Sequence, residues 1–308
     1  MQKPNPDVYV ETGYEGANVG CIRTDEGLIL VDTPMRPRDA RAWRARVTQL
    51  TGQEVRYVIN TSYHPNHMLG NYFFTPATVI AHRTVWDQIE SWSDNQRQRI
   101  LEALREKHPE AIGAHKELQL VRPRLTFTDR MILYLGGKSL RLIRLGGHSP
   151  AAIGVYLPEE EIFFSGDVVV NGQHPSLEEA HTGQWLRALT EIRRLRIKAL
   201  VPGRGPLCTK EDTQRLSAYI RLLRQRVRSR MKGSQGWKEA LDSIHTEELV
   251  KFFPVEATAR AAVEKRICAS LRRIYDELQM GEMGTDSPRG GIGNGQGERT
   301  SPSNADPD

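Results

Sequence analysis

A layered α/β sandwich is the fold class this 308-residue chain predicts, and three observations predict it. Up to about Pro206, short apolar runs bounded by Gly, Pro, Asn or Asp alternate with segments of helical periodicity, a pattern of sheets covered by helices. Several of those runs end on a loop carrying a His, Asp or Arg, which is where open α/β architectures build their sites. The hydrophobic content of 38 % is enough to fill a real core.

The elements follow in order. Gly27-Leu28-Ile29-Leu30-Val31 reads as a buried strand ending at Asp32-Thr33, and Arg38 to Leu50 as a helix. Val55-Arg56-Tyr57-Val58-Ile59 is a strand ending at Asn60, and the loop that leaves it carries His64 and His67, with Pro65 between them and Gly70 after. A polar helical insertion is expected over 83–117. Its Trp86, Ile89 and Trp92 recur at helical spacing and predict an amphipathic packing face, with a lid over the site as the sharper alternative. Leu145-Gly146-Gly147-His148-Ser149-Pro150 precedes the apolar run Ile153 to Leu157. Ile162-Phe163-Phe164 ends in Ser165-Gly166-Asp167, Gly183 to Leu195 reads as a helix, and Leu200-Val201 runs into Pro202-Gly203-Arg204-Gly205-Pro206.

After Thr209 the chain becomes helical and basic. Leu216, Ile220, Leu223 and Val227 make an apolar stripe while Arg215, Arg221, Arg224, Arg226, Arg228 and Arg230 take the other faces, and Lys238 to Leu249 and Ala257 to Leu278 read as further helices. From Gly281 onward Gly, Ser, Pro, Asn and Asp replace apolar residues, the composition of a disordered tail. The expected division is therefore a domain over 1–208, a helical extension over 209–280 and a tail over 281–308.

Two histidines on a loop are a weak metal signal by themselves, since imidazole suits zinc, iron or nickel but is more often an ordinary polar side chain. Taken with Asp32-Thr33, His148, Asp167, the run Gly166 to Gly172 and the turn around Arg204, the loop Ser62-Tyr63-His64-Pro65-Asn66-His67 resembles the central motif of the metallo-β-lactamase-fold metallohydrolases, glyoxalase-II-like members among them. The resemblance covers about Asn18 to Thr209. It implies a four-layer αβ/βα sandwich and hydrolysis of a small ester, thioester or lactam. It also implies metal ligands at His64, His67, His148 and Asp167, with Asp32 supporting the metal loop. Asp167, Arg204 and Asn66 become the candidate catalytic residues.

The same motifs depart from the family's pattern. Ser62 stands where the family has a first loop histidine, Asn66 where it has an aspartate, and Arg204 where it has a last histidine, and a guanidinium cannot ligate a metal. Three readings stay open. In one, His64, His148 and Asp167 hold a single zinc or ferrous ion beside Arg204, which meets an anionic substrate or oxyanion. In another, Arg204 pairs with Asp167, no metal binds, and the protein is an inactive enzyme relative serving binding or regulation. In the third, His67 or His148 acts as a general base beside Ser62, although no orienting carboxylate is evident in the sequence.

His174, which follows Asn171-Gly172, is a candidate extra donor whose bland reading is packing, and Tyr63 and Tyr72 flank the loop as aromatic filler or substrate contacts. His82, His108, His115, His181 and His245 read as surface residues. Cys21, Cys208 and Cys268 make no framework and no Cys-x-x-Cys pair, which with the absence of a secretory start at Met1 to Asp7 leads us to expect a reduced, cytoplasmic setting. No apolar stretch approaches the roughly 20 residues of a membrane span. A net charge of +5 raises nucleic-acid binding, but no aromatic platform accompanies the arginines. The expected partner is a small, anionic substrate, and the C-terminal helices are candidates for a homodimer contact.

Overall fold

The computed structural model describes residues 1–107, 120–231 and 236–283. A seven-stranded sheet runs in the order β1 (Gln2–Asn5), β2 (Val8–Glu11), β3 (Val19–Thr24), β4 (Gly27–Val31), β5 (Val55–Asn60), β6 (Thr78–His82) and β7 (Leu125–Phe127). The first four strands pair antiparallel; β4 to β7 pair parallel, so each connection must cross over the sheet, as α1 (Pro37–Thr51) does between β4 and β5. The second sheet comprises β8 (Arg130–Leu135), β9 (Lys138–Arg144), β10 (Ile153–Leu157), β11 (Ile162–Phe164) and β12 (Ala199–Val201), ordered β12-β11-β10-β9-β8.

Three apolar layers separate four layers of structure. Between the sheets lie Ile22, Ile29, Ile59 and Ile80 from one side and Leu140, Val155 and Phe164 from the other. Outside the first sheet, Cys21, Leu28, Leu30 and Val58 pack on Trp43 and Val47 of α1. Outside the second, Tyr156, Phe163 and Leu200 meet α5 (Thr182–Arg194), α6 (Thr213–Met231) and α9 (Arg260–Met283) through Trp185, Leu189, Ile220 and Ile274. Strands buried on both faces read as unbroken apolar runs, which is why β4 is Gly-Leu-Ile-Leu-Val rather than alternating. The result is the αβ/βα sandwich. Among the described residues no helix is long and apolar enough to cross a membrane.

The insertion holds two helices, α3 (Arg83–Ser91) and α4 (Asp94–Lys107), while 108–119 lie outside the described residues. Val85, Ile89 and Trp92 pack on Tyr63, Met68, Ala81 and Ala151 beside the Ser62 to His67 loop, whereas Trp86, expected on this face, is only half-buried and lies under the Arg122 guanidinium, which is 5.5 Å from the indole ring centre. The stripe Leu216, Ile220, Leu223 and Val227 is buried, as its period predicts. The stretch expected as one helix from Lys238 to Leu249 is two, α7 (Trp237–Asp242) and α8 (Glu247–Val250), because Ser243 to Thr246 interrupts it with residues that favour turns. The tail is expected from Gly281, but helix α9 continues to Met283, and 284–308 lie outside the described residues.

One buried carboxylate ties the C-terminal helices to the sandwich. Glu277 of α9 accepts from the Thr182 N–H at 2.7 Å, the Thr182 hydroxyl at 2.8 Å and the Gly183 N–H at 3.2 Å, all at the first turn of α5. Arg224 of α6 reaches it at 2.7 Å. A carboxylate on the free N–H groups of a helix start is electrostatically favoured as well as hydrogen-bonded.

Candidate active site

The site forms where β5, β11 and β12 end and where the loop before β10 returns. Main-chain bonds between the sheets fix these ends together: Ile153 N–H donates to Thr61 O at 3.0 Å, and Asn18 N–H donates to Gly203 O at 2.7 Å. Asn18 Nδ2 adds bonds to Pro202 O and Gly205 O, both at 2.8 Å, so the Arg204 turn is held from the first sheet. Gly203 has to be glycine because a Cβ there would fall 2.2 Å from Asp167 Oδ1.

Asp32 begins the polar chain. Its backbone is left-handed at φ 58°, a conformation costly for a non-glycine residue, and its carboxylate is fully used. It accepts from the Thr61 N–H at 2.8 Å and the Thr61 hydroxyl at 2.6 Å, and lies 2.8 Å from His67 Nδ1. His67 Nε2 then faces Asp167 Oδ2 at 3.3 Å, His148 Nε2 lies 3.8 Å from the same oxygen, and Arg204 Nε donates to it at 3.2 Å. Burial opposes charge on His67, but Asp32 and Asp167 on either side outweigh it and push its pKa up to about 10. Burial draws His148 down to about 4, and the positive charges of His67 and Arg204 add to that, despite Asp167. Asp167 stays ionised: burial would raise its carboxyl, and His67, Arg204 and His148 hold it far below the usual range.

His64 belongs to a different set of contacts. Its Nδ1 is 3.0 Å from Ser62 Oγ and its Nε2 is 3.1 Å from Glu179 Oε2, which also accepts from the Tyr63 hydroxyl. The hydrogen bond from His64 lowers the Glu179 pKa, against burial, with Tyr63 assisting. The His64 ring meets His148 edge-on at 5.1 Å between centroids, so the two groups of residues are neighbours.

Of the residues the sequence singles out, the structure therefore brings His67, His148, Asp167 and Arg204 together, with Asp32 behind His67. It places His64 beside them but on Ser62 and Glu179. Asn66 is half-buried, and its Nδ2 has no hydrogen-bond partner. His174 packs away from the site, between the Tyr219 hydroxyl and Val250 O at 3.0 Å each. His82 is not the surface residue expected: it is buried, caps α3 by accepting from Thr84 N–H at 3.1 Å, and reaches Thr128 O at 2.7 Å. Its polar sequence neighbours conceal that role. Sequence reasoning missed Glu179, which sits between β11 and α5 with no periodic pattern or motif around it.

The profile of the metallo-β-lactamase superfamily matches residues 12–204. The chain belongs to that superfamily. It is similar to a linear primary-alkylsulfatase of Pseudomonas sp., 21 % identical over 238 residues, 65 % of this chain and 44 % of that protein. The acyl-coenzyme A thioesterase MBLAC2 of Homo sapiens is 25 % identical over 179 residues, 53 % of this chain and 62 % of the relative. The alignments thus span between about half and two thirds of those relatives' lengths. A solved metallo-β-lactamase family protein from Thermus thermophilus shares the fold with a TM-score of 0.63 at 20 % identity, covering 91 % of this chain and 95 % of that one.

The donors present do not fit a two-metal centre. Ser62, Asn66 and Arg204 replace three of the ligands the superfamily's pattern implies, and His64 is turned to Glu179. Among the described residues no group of three or more His, Cys, Asp or Glu side chains is disposed to hold an ion.

Proposed function

We propose that this chain is a hydrolase of a small ester or thioester bearing an anionic group, and that it works with its own side chains in place of the superfamily's pair of ions. The observation that carries this reading is the contact between Arg204 Nε and Asp167 Oδ2, 3.2 Å, at the position where a ligand histidine is expected. A fixed cation there neutralises the buried Asp167 without a metal. The Arg204 side chain is 38 % exposed, and a guanidinium has five N–H donors, so it can pair with Asp167 and still meet a substrate carboxylate, sulfate or phosphate. Sulfate-ester and thioester cleavage by the two relatives supports these bond types over a lactam.

A second reading has one zinc or ferrous ion draw His67, His148 and Asp167 into a two-histidine, one-carboxylate set that they do not form as they stand. What favours it is that His67 Nε2, both His148 ring nitrogens and Asp167 Oδ1 are buried without a hydrogen-bond partner. Buried polar atoms left unpaired are costly, and a cation or a polar substrate group would satisfy them. Such an ion would supply Lewis-acid polarisation and a more acidic bound water.

Steady-state assays on aryl esters, acyl-coenzyme A thioesters, alkyl sulfates and a β-lactam, each with and without chelator, separate the readings. We expect turnover of an ester or thioester that survives chelation, with Arg204→Gln raising KM for the anionic members at least tenfold. Turnover lost on chelation and restored by zinc supports the single-ion reading. No turnover of any substrate rejects both.

A further inference from the structure

We infer that Ser62, His64 and Glu179 form a nucleophilic relay, with Ser62 Oγ as the attacking atom, so that hydrolysis here passes through a covalent acyl-serine. The inference rests on the hydrolase reading and supplies its missing nucleophile. Its basis is one continuous run of contacts: Ser62 Oγ to His64 Nδ1 at 3.0 Å, and His64 Nε2 to Glu179 Oε2 at 3.1 Å. Nucleophile, base and orienting carboxylate each lie within hydrogen-bond reach of the next, the arrangement by which an unactivated hydroxyl becomes a nucleophile.

The contacts also fix the direction of proton flow. Glu179 as a carboxylate accepts only, so His64 Nε2 carries the proton it donates there, and His64 Nδ1 is left with a lone pair facing the Ser62 hydroxyl. The Tyr63 hydroxyl donates to the same Glu179 oxygen and holds the carboxylate in place from the other side. His64 cannot do this and also turn its ring to Asp167, which is consistent with the loss of the ligands on either side of it, Ser62 and Asn66. Ser62 is buried, 3.4 Å from Ser149 Oγ, while the His64 and Glu179 side chains are 21 % and 48 % exposed.

In the step itself, Ser62 Oγ bonds to the acyl carbon as its proton passes to His64 Nδ1. The C–O or C–S bond to the leaving group breaks, and the leaving alkoxide or thiolate takes that proton. Water then attacks the acyl-serine with His64 again accepting the proton, the acid departs, and Ser62 recovers its hydrogen.

The test uses the full chain after chelator treatment and a fluorophosphonate probe, read by intact mass and peptide mapping. The expected result is one phosphonyl group per chain, on Ser62, at a rate unaffected by chelation. His64→Gln should slow labelling at least about 100-fold, the usual range for loss of a general base. Glu179 acts through His64, so Glu179→Gln should slow labelling and Glu179→Asp should restore part of the rate, a recovery that a purely structural role does not predict. Because the first readout is on the unaltered protein, it stands whether or not Ser62→Ala folds. An adduct on Ser149, no adduct on folded protein, or an unchanged rate in His64→Gln overturns the relay. Turnover of an ester without any adduct at Ser62 overturns the relay while leaving the hydrolase reading intact, whereas labelling at Ser62 without turnover of the tested substrates supports the relay alone.

Discussion

Replacing Glu277 by Ala should undock the C-terminal helices more than any surface change on them. The carboxylate is 8 % exposed and takes four hydrogen bonds, from Thr182 N–H, the Thr182 hydroxyl, Gly183 N–H and Arg224. Removing it leaves Arg224, itself only 19 % exposed, without its carboxylate partner and strands the first N–H groups of α5. Breaking one side of a buried charge pair costs about 3–5 kcal/mol. For a chain of this size that is a fall in Tm on the order of 10 °C. Glu277→Gln keeps the shape and loses the charge, and should cost about 1.5–3 kcal/mol, the worth of hydrogen bonds to a charged group. The pH dependence has a definite sign. Burial would raise the Glu277 pKa, but the bonds from Thr182, Arg224 and Gly183 win and hold it below its ordinary value of 4.5. Its stabilisation is therefore fully present above the unfolded value and is lost as pH falls through the lower folded value. Urea unfolding of wild type and Glu277→Gln from pH 7 downward should show the difference between them closing in acid. A Glu277→Ala protein within about 0.5 kcal/mol of wild type at pH 7, the range of ordinary surface changes, would refute the reasoning.

Three further outcomes follow from the site. Gly203→Ala would place a Cβ 2.5 Å from Asp167 N as well as against its side chain, so Asp167 must move, and activity should fall at least tenfold with the fold retained by circular dichroism. Asp32→Asn removes the charge and one of the two acceptor oxygens, the Oδ2 shared by the Thr61 hydroxyl and His67 Nδ1, and should lower stability by about 3–5 kcal/mol in urea unfolding; a loss under 1 kcal/mol counts against the buried chain of charges. Ser62→His, Asn66→Asp and Arg204→His combined should convert the chain into a zinc binder of about two ions by restoring a closed ligand set; a folded triple variant that takes up no zinc speaks against the assignment of these positions.

Much of the fold was legible because burial leaves a period. Leu216, Ile220, Leu223 and Val227 announce the buried face of α6, and the unbroken Gly27 to Val31 run announces a strand covered on both sides. The strand-end residues Asp32, His67, His148, Asp167 and Arg204 were legible because order along the chain maps onto one edge of the sandwich. The partner of His64 was not. Glu179 is 115 residues away on a loop without periodicity, so only the docking of two sheets brings the pair together. His82 was misread for a related reason: its burial comes from capping α3 and from the Thr128 carbonyl, 46 residues away. Ser243 to Thr246, which splits α7 from α8, shows local turn preference prevailing over a helical period too short to resist it.

The claim that Arg204 stands in for metal is tested most directly by counting metal per chain, by elemental mass spectrometry, on protein purified without chelator and then incubated with zinc, ferrous iron or manganese. The account predicts well under one ion per chain under every condition, with ester or thioester turnover unaffected. About one ion per chain that disappears in His148→Ala, together with turnover that follows the ion, would contradict it.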